Sequence, residues 1–190
     1  MSPLTESDQE TLLQMARVAL VDYVSSGKIP TIEEPGESLR QKCGAFVTLR
    51  RGKSLRGCIG IIEANAPLYQ TVRQCAVWAG TNDPRFPQVM KGEVAGLNIE
   101  ISVLSPLFDI APEEVEVGRH GLLVSRGVIR GLLLPQVASE RKWGREQFLE
   151  ETCRKAGLPL DAWRHDAKIQ AFTAQVFEEA HPARSSHPAA

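Results

Sequence analysis

A chain of 190 residues with 43% hydrophobic and 24% charged residues has ordinary globular composition and length for one domain or two small lobes. The formal net charge of −1 argues against a dedicated nucleic-acid binder. No run approaches the roughly 18 apolar residues a membrane span requires, and the first residues, Met-Ser-Pro-Leu-Thr-Glu-Ser, lack the basic and apolar regions of a signal peptide. A cytoplasmic location is the expectation.

In chain order, Ser7-Asp8-Gln9-Glu10 has the capping-box spacing, and Leu12, Leu13, Ala16, Ala19, Leu20, Tyr23 and Val24 follow at helical intervals. The spacing predicts a helix over 8–26. Residues 25–37 hold two prolines and two glycines and read as a loop. Residues 44–49 and 54–62 are strand-like runs around Arg50-Arg51-Gly52-Lys53, which predicts a β-hairpin. Asn65-Ala66-Pro67 reads as a helix start, with Leu68, Val72, Cys75, Ala76 and Ala79 on its apolar stripe and Gly80 as its end. Asp83-Pro84-Arg85-Phe86-Pro87 cannot continue a helix and forms a rigid connector.

Residues 97–104 alternate as a strand with one buried face. Pro112-Glu113-Glu114 suggests a helical turn. Runs 121–125 and 128–134 predict a second hairpin entered by Gly118-Arg119-His120-Gly121. Two helices follow, over 135–143 and 145–156, the second stopped by Gly157, with Phe148, Leu149, Thr152 and Cys153 inward. Trp143 and Trp163 read as core or groove walls. A last strand spans 168–177, and residues 181–190, rich in Ala, Pro and Ser, are predicted to be a disordered tail. Hairpins with helices before and between them predict an α+β fold with antiparallel sheet and flanking helices.

The densest chemistry lies in Leu55-Arg56-Gly57-Cys58-Ile59-Gly60. Strict alternation puts Leu55, Ile59 and Ile61 on a core face, and Arg56, Cys58 and Gly60 on the other. A neighbouring arginine favours a thiolate, and Gly57 and Gly60 leave room for a ligand. Equally, a free cysteine is often a small buried hydrophobe, and strand glycines mark bulges or tight packing. Glu100 is either solvated or a carboxylate facing the cleft of Cys58. His120 is either a base for the cysteine or a turn residue bonded to backbone. Asp83 and Arg85 are either an ion pair that holds the connector or pocket lining. The four cysteines, at 43, 58, 75 and 153, have no zinc-site spacing, and no metal site is predicted.

Together these motifs resemble the AMMECR family, in particular its bacterial and archaeal branch within the AmmeMemoRadiSam system. The resemblance rests on Leu55 to Gly60, Asp83-x-Arg85-Phe86-Pro87, Glu100 with Ser102-Val103-Leu104, Gly118-x-His120-Gly121, Leu134-Pro135-x-Val137-Ala138, Trp143, and Cys153-Arg154-Lys155-Ala156-Gly157. Gln88, where many members have a second proline, and Arg119, where an apolar residue is frequent, depart from the pattern. The resemblance implies residues 1–180 forming two unequal lobes, the larger from both chain ends and the smaller inserted. It also implies Memo-like and radical-SAM partners. Two functions compete. One is a cysteine-dependent enzyme or enzyme component, with Cys58, His120 and Glu100 catalytic and Arg56, Gly57, Gly60, Asp83 and Arg85 binding ligand. The other is a non-catalytic module holding a small molecule, peptide or protein partner in the inter-lobe groove. No cofactor is named by either.

Overall fold

The computed structural model describes residues 3–180; the predicted tail at 181–190 lies outside the described residues. The chain forms helices and two antiparallel four-stranded sheets, an α+β fold. It divides into two compact units: Val103–Gln175, and the chain before and after that segment.

The two-ended unit starts with helix α1 (Glu6–Ser26) and the single turn α2 (Glu37–Arg40). The capping box is Thr5 with Asp8, not Ser7 with Glu10. Thr5 Oγ1 accepts the Asp8 N–H at 3.2 Å, and Asp8 Oδ2 accepts the Thr5 N–H at 3.1 Å. The helix therefore begins two residues early, because Asp at the third position closes the box as well as Glu does. Strands β1 (Ala45–Arg51) and β2 (Ser54–Ile61) form the first hairpin. Arg50 and Arg51 are strand residues, so the turn is only Gly52-Lys53, with Gly52 at φ 57°.

Helix α3 (Leu68–Thr81) crosses this hairpin. Pro67, not Asn65, takes its cap position. Gly80 lies inside the helix, where a Cβ would press against Leu20 Cδ1 at 2.7 Å; the glycine allows α1 to approach α3. A 3₁₀ segment at Lys91–Gly96 leads into strand β3 (Asn98–Leu104). Ala45, Val47, Leu49, Leu68, Val72, Ala76, Ile99 and Ile101 are fully buried. Each large aliphatic side chain among them contributes roughly 1.5–3 kcal/mol.

The Val103–Gln175 unit contains β4 (Phe108–Asp109), the hairpin β5 (Gly121–Arg126) and β6 (Ile129–Leu133), helices α4 (Pro135–Glu140) and α5 (Arg145–Ala156), and β7 (Lys168–Phe172). Its core joins Leu122 and Val124 to Phe148, Leu149, Cys153 and Ala171, with Trp143 and Trp163 packed against it. The strand predicted over 168–177 is two strands. The chain leaves the sheet order β4-β7-β5-β6 at Thr173, and β8 (Ala174–Glu178) joins the order β2-β1-β3-β8. Ser105 and Thr173 hold the crossing point with two 2.9 Å hydrogen bonds, which explains the break: Thr173 bonds outside both ladders.

Candidate functional site

The site begins with an irregularity in the first hairpin. Leu49 pairs with Gly57 but Arg50 pairs with Leu55, so Arg56 is an extra residue in β2. A bulge of this kind resets the alternation of side chains. Leu55 therefore does not share a face with Ile59 and Ile61, and Arg56 is not simply the neighbour of Cys58 across one pleat. All three apolar residues are only half-buried. The shift also brings Thr48 opposite Cys58, and Thr48 Oγ1 donates to Cys58 Sγ at 3.3 Å.

The glycines on either side of Cys58 are occupied by protein. A Cβ on Gly57 would overlap the carbonyl oxygen of Ala79 in α3, and one on Gly60 would overlap the Phe46 ring. Close packing accounts for both, rather than room for a ligand.

The connector after α3 reaches the free edge of β2. Asp83 Oδ2 accepts the Cys58 N–H at 2.9 Å, and Arg85 Nη2 donates to the Cys58 carbonyl at 3.5 Å. The two side chains supply the bonds that a further strand would supply, so the edge is closed locally. They also pair in a fork. Arg85 Nε reaches Asp83 Oδ1 at 2.9 Å and Nη2 reaches Oδ2 at 2.7 Å. Arg85 beside it, with the Cys58 and Arg85 amides, holds the buried Asp83 carboxyl down at about 2, against the cost of burial.

Cys58 itself is half-buried, and burial pushes its pKa up. The Thr48 hydroxyl and the Arg85 charge act in the opposite direction, while the Asp83 and Glu100 charges add to the rise. Arg56, the cation expected from the sequence to lower this pKa, is engaged elsewhere. Arg56 donates to Glu93 at 3.1 and 3.3 Å and to the Pro87 carbonyl at 2.9 Å, and the cation acting on Cys58 is Arg85.

Glu93 also pairs with Arg51, and its carboxyl is held at about 2, by Arg56 above all. Glu100 shares its sheet face with Arg50, 3.7 Å away. The basic tip at Arg50, Arg51 and Arg56 is thus largely neutralised within the unit.

His120 belongs to the Val103–Gln175 unit. Its ring is buried, and Nδ1 accepts the Glu116 N–H at 3.1 Å. The proton is therefore assigned to Nε2, and the free nitrogen is a donor rather than a base. Burial and Arg119 lower its pKa. Phe108 meets the ring edge-on at 5.8 Å.

Of the sequence-derived site residues, the structure brings Cys58, Gly57, Gly60, Asp83, Arg85 and Glu100 together, with Arg56 turned to Glu93. Sequence reasoning missed Thr48 and Glu93. Thr48 lies opposite Cys58 only because of the bulge, and Glu93 is 37 residues from Arg56 in the chain; neither leaves a local signal. A cleft of about 830 Å³ runs beside α1 in the same unit, but none of these residues lines it. Its central Arg17 is already bonded to Glu179 and to the carbonyls of Val94 and Leu97. Among the described residues no group of three or more His, Cys, Asp and Glu side chains could hold a metal ion, and no helix is long and apolar enough to cross a membrane.

These features define an α+β protein of two units whose cysteine-bearing edge strand is closed by an Asp–Arg connector. The AMMECR1 family model matches residues 13–177, and the chain belongs to that family. It is 45% identical over 188 residues to a protein of Thermococcus onnurineus, covering 91% of each chain. It is 43% identical over 190 residues to protein MK0488 of Methanopyrus kandleri, covering 94% of this chain and 92% of that one. The crystal structure of the uncharacterised protein PH0010 from Pyrococcus horikoshii superposes with a TM-score of 0.85 at 43% identity, covering 91% of this chain and 92% of that chain.

Proposed function

We propose that this AMMECR1-family chain is a non-catalytic binding module of the cytoplasm, docking a Memo-like or radical-SAM partner through the surface around Arg85. The observation that carries this reading is the state of Cys58. Its sulfur is desolvated and faces two carboxylates, which outweigh the thiolate-favouring Thr48 hydrogen bond and Arg85 charge, so it remains a protonated thiol near neutral pH. Arg85, by contrast, presents a half-exposed guanidinium already oriented by Asp83. Four free cysteines suit a reducing compartment.

Calorimetric titration of the chain with a Memo-like protein, and separately with a radical-SAM protein, tests the reading. Cys58→Ala retains the affinity of the wild type, and Arg85→Ala weakens it about tenfold or more. Loss of binding in Cys58→Ala with a native fold, or binding of neither protein, would sink the proposal. The alternative of a thiol-dependent enzyme has one observation in its favour. Thr48 and Arg85 both stabilise a thiolate, so a substrate that expelled water and neutralised Glu100 would bring the sulfur closer to ionisation.

A further inference from the structure

The cleft beside α1 takes no part in the Cys58 site, and its dimensions restrict what can fill it. It encloses about 830 Å³ and opens to solvent. Its α1 wall is one stripe of the helix, formed by Glu10, Leu13, Gln14, Arg17, Val21 and Ser25. From Glu10 to Ser25 the helix rises about 22 Å. The volume spread over that length averages a section on the order of 40 Å². An extended chain occupies roughly 50 Å², from spacings of about 4.8 Å between strands and about 10 Å between sheets. A helix about 10 Å across occupies roughly 80 Å². An extended chain therefore fits with one side left to solvent, and a helix is too wide.

The groove is held in shape without a ligand. Arg17 donates to the carbonyls of Val94 and Leu97 at 2.8 and 2.7 Å and pairs with Glu179. Glu179 in turn accepts the Ile99 N–H at 2.9 Å. This latch ties α1 to the 3₁₀ segment, to β3 and to the chain after β8, so an incoming chain meets walls already formed. It also commits the central charges to each other. What remains is apolar lining from Leu13, Val94, Leu97 and the 38% exposed Val21, together with two charges of opposite sign. Glu10 and Lys91 both line the cleft and are exposed, and neither side chain has a hydrogen bond or ion pair among the described residues. Gln14 adds an exposed amide that can both donate to and accept from a peptide backbone.

We propose that this cleft is a docking groove for an extended peptide segment of a partner protein. The segment is about seven residues long and mostly apolar, with a basic side chain for Glu10 and an acidic one for Lys91. The groove is separate from the Arg85 surface, and its test does not depend on that reading.

Fluorescence anisotropy of three labelled seven-residue peptides, alike in their apolar residues, tests the groove in the full chain. One peptide carries a lysine and an aspartate, one two lysines and one two aspartates. The wild type binds the mixed peptide about tenfold tighter than either of the others. Lys91→Glu shifts the preference to the two-lysine peptide, and Glu10→Lys shifts it to the two-aspartate peptide. Both substitutions lie at exposed positions, so the variants melt as the wild type does. Val21→Ser weakens all three peptides. Absence of saturable binding to any of the three overturns the proposal. So does binding that Val21→Ser leaves unchanged, or a preference that neither charge reversal alters. A dimer seen in sedimentation equilibrium and weakened by Val21→Ser would show that a second copy covers the cleft, and would also overturn it.

Discussion

The Cys58 amide donates to the Asp83 carboxylate at 2.9 Å, so the most conspicuous strand of the sequence and its most proline-rich connector form one structural unit. Asp83 also accepts three bonds from Arg85. Replacing Asp83 with Ala strands the Cys58 amide and frees a guanidinium. The expected loss is about 3 kcal/mol, read as a shift in the urea midpoint. Asp83→Asn loses less, since it keeps an acceptor. A change below about 0.5 kcal/mol in both variants would deny the clamp its role.

The same carboxylate sets an acid limit. Its folded pKa, about 2, lies below the ordinary value of 3.8. The stabilisation is therefore fully present above about pH 4 and is lost as pH falls towards about 2; one such shift is worth roughly 2 kcal/mol. Unfolding free energy measured from pH 5 to pH 2 should fall more steeply for the wild type than for Asp83→Asn.

Alkylation of Cys58 as a function of pH, with Cys43, Cys75 and Cys153 replaced, should give a midpoint above the ordinary thiol range. Thr48→Val and Arg85→Ala move it further up, because each removes a group that favours the thiolate. Arg56→Ala leaves it in place. A midpoint near neutrality would contradict the protonated thiol on which the binding-module reading depends.

Gly57 and Gly60 should tolerate alanine unequally. At Gly57 the obstacle is the backbone carbonyl of Ala79, which cannot turn aside, so Gly57→Ala should cost several kcal/mol or abolish soluble expression. At Gly60 the obstacle is the Phe46 ring. Gly60→Ala should be partly rescued by Phe46→Leu in a double-mutant cycle. Equal tolerance at both positions would contradict the packing account.

His120 should titrate below 6.5 in ¹⁵N-resolved spectra, with the neutral ring protonated on Nε2. Because its folded pKa is depressed, the unfolded chain binds the proton first. His120 therefore reduces stability as pH falls below about 6.5, and His120→Gln should flatten that part of the pH–stability curve. A titration at or above 6.5 would exclude the assigned tautomer and its turn bond.

What the sequence determined by itself was local. The period of apolar residues placed α1, α3, α5 and the two hairpins, and Gly157 marked the end of α5 because only a residue free of Cβ strain readily takes its φ of 75°. The hexapeptide, Asp83-x-Arg85-Phe86-Pro87 and their companions pointed to the AMMECR family. Only tertiary structure decided what these residues do. The bulge at Arg56 changed which side chains share a face, and a one-residue offset in pairing has no signature in composition. Arg56 found Glu93 and Asp83 found the Cys58 amide through contacts 37 and 25 residues apart. The charge nearest a thiol in sequence is held by another partner, and the pKa of Cys58 follows desolvation and the charges that the fold brings to it.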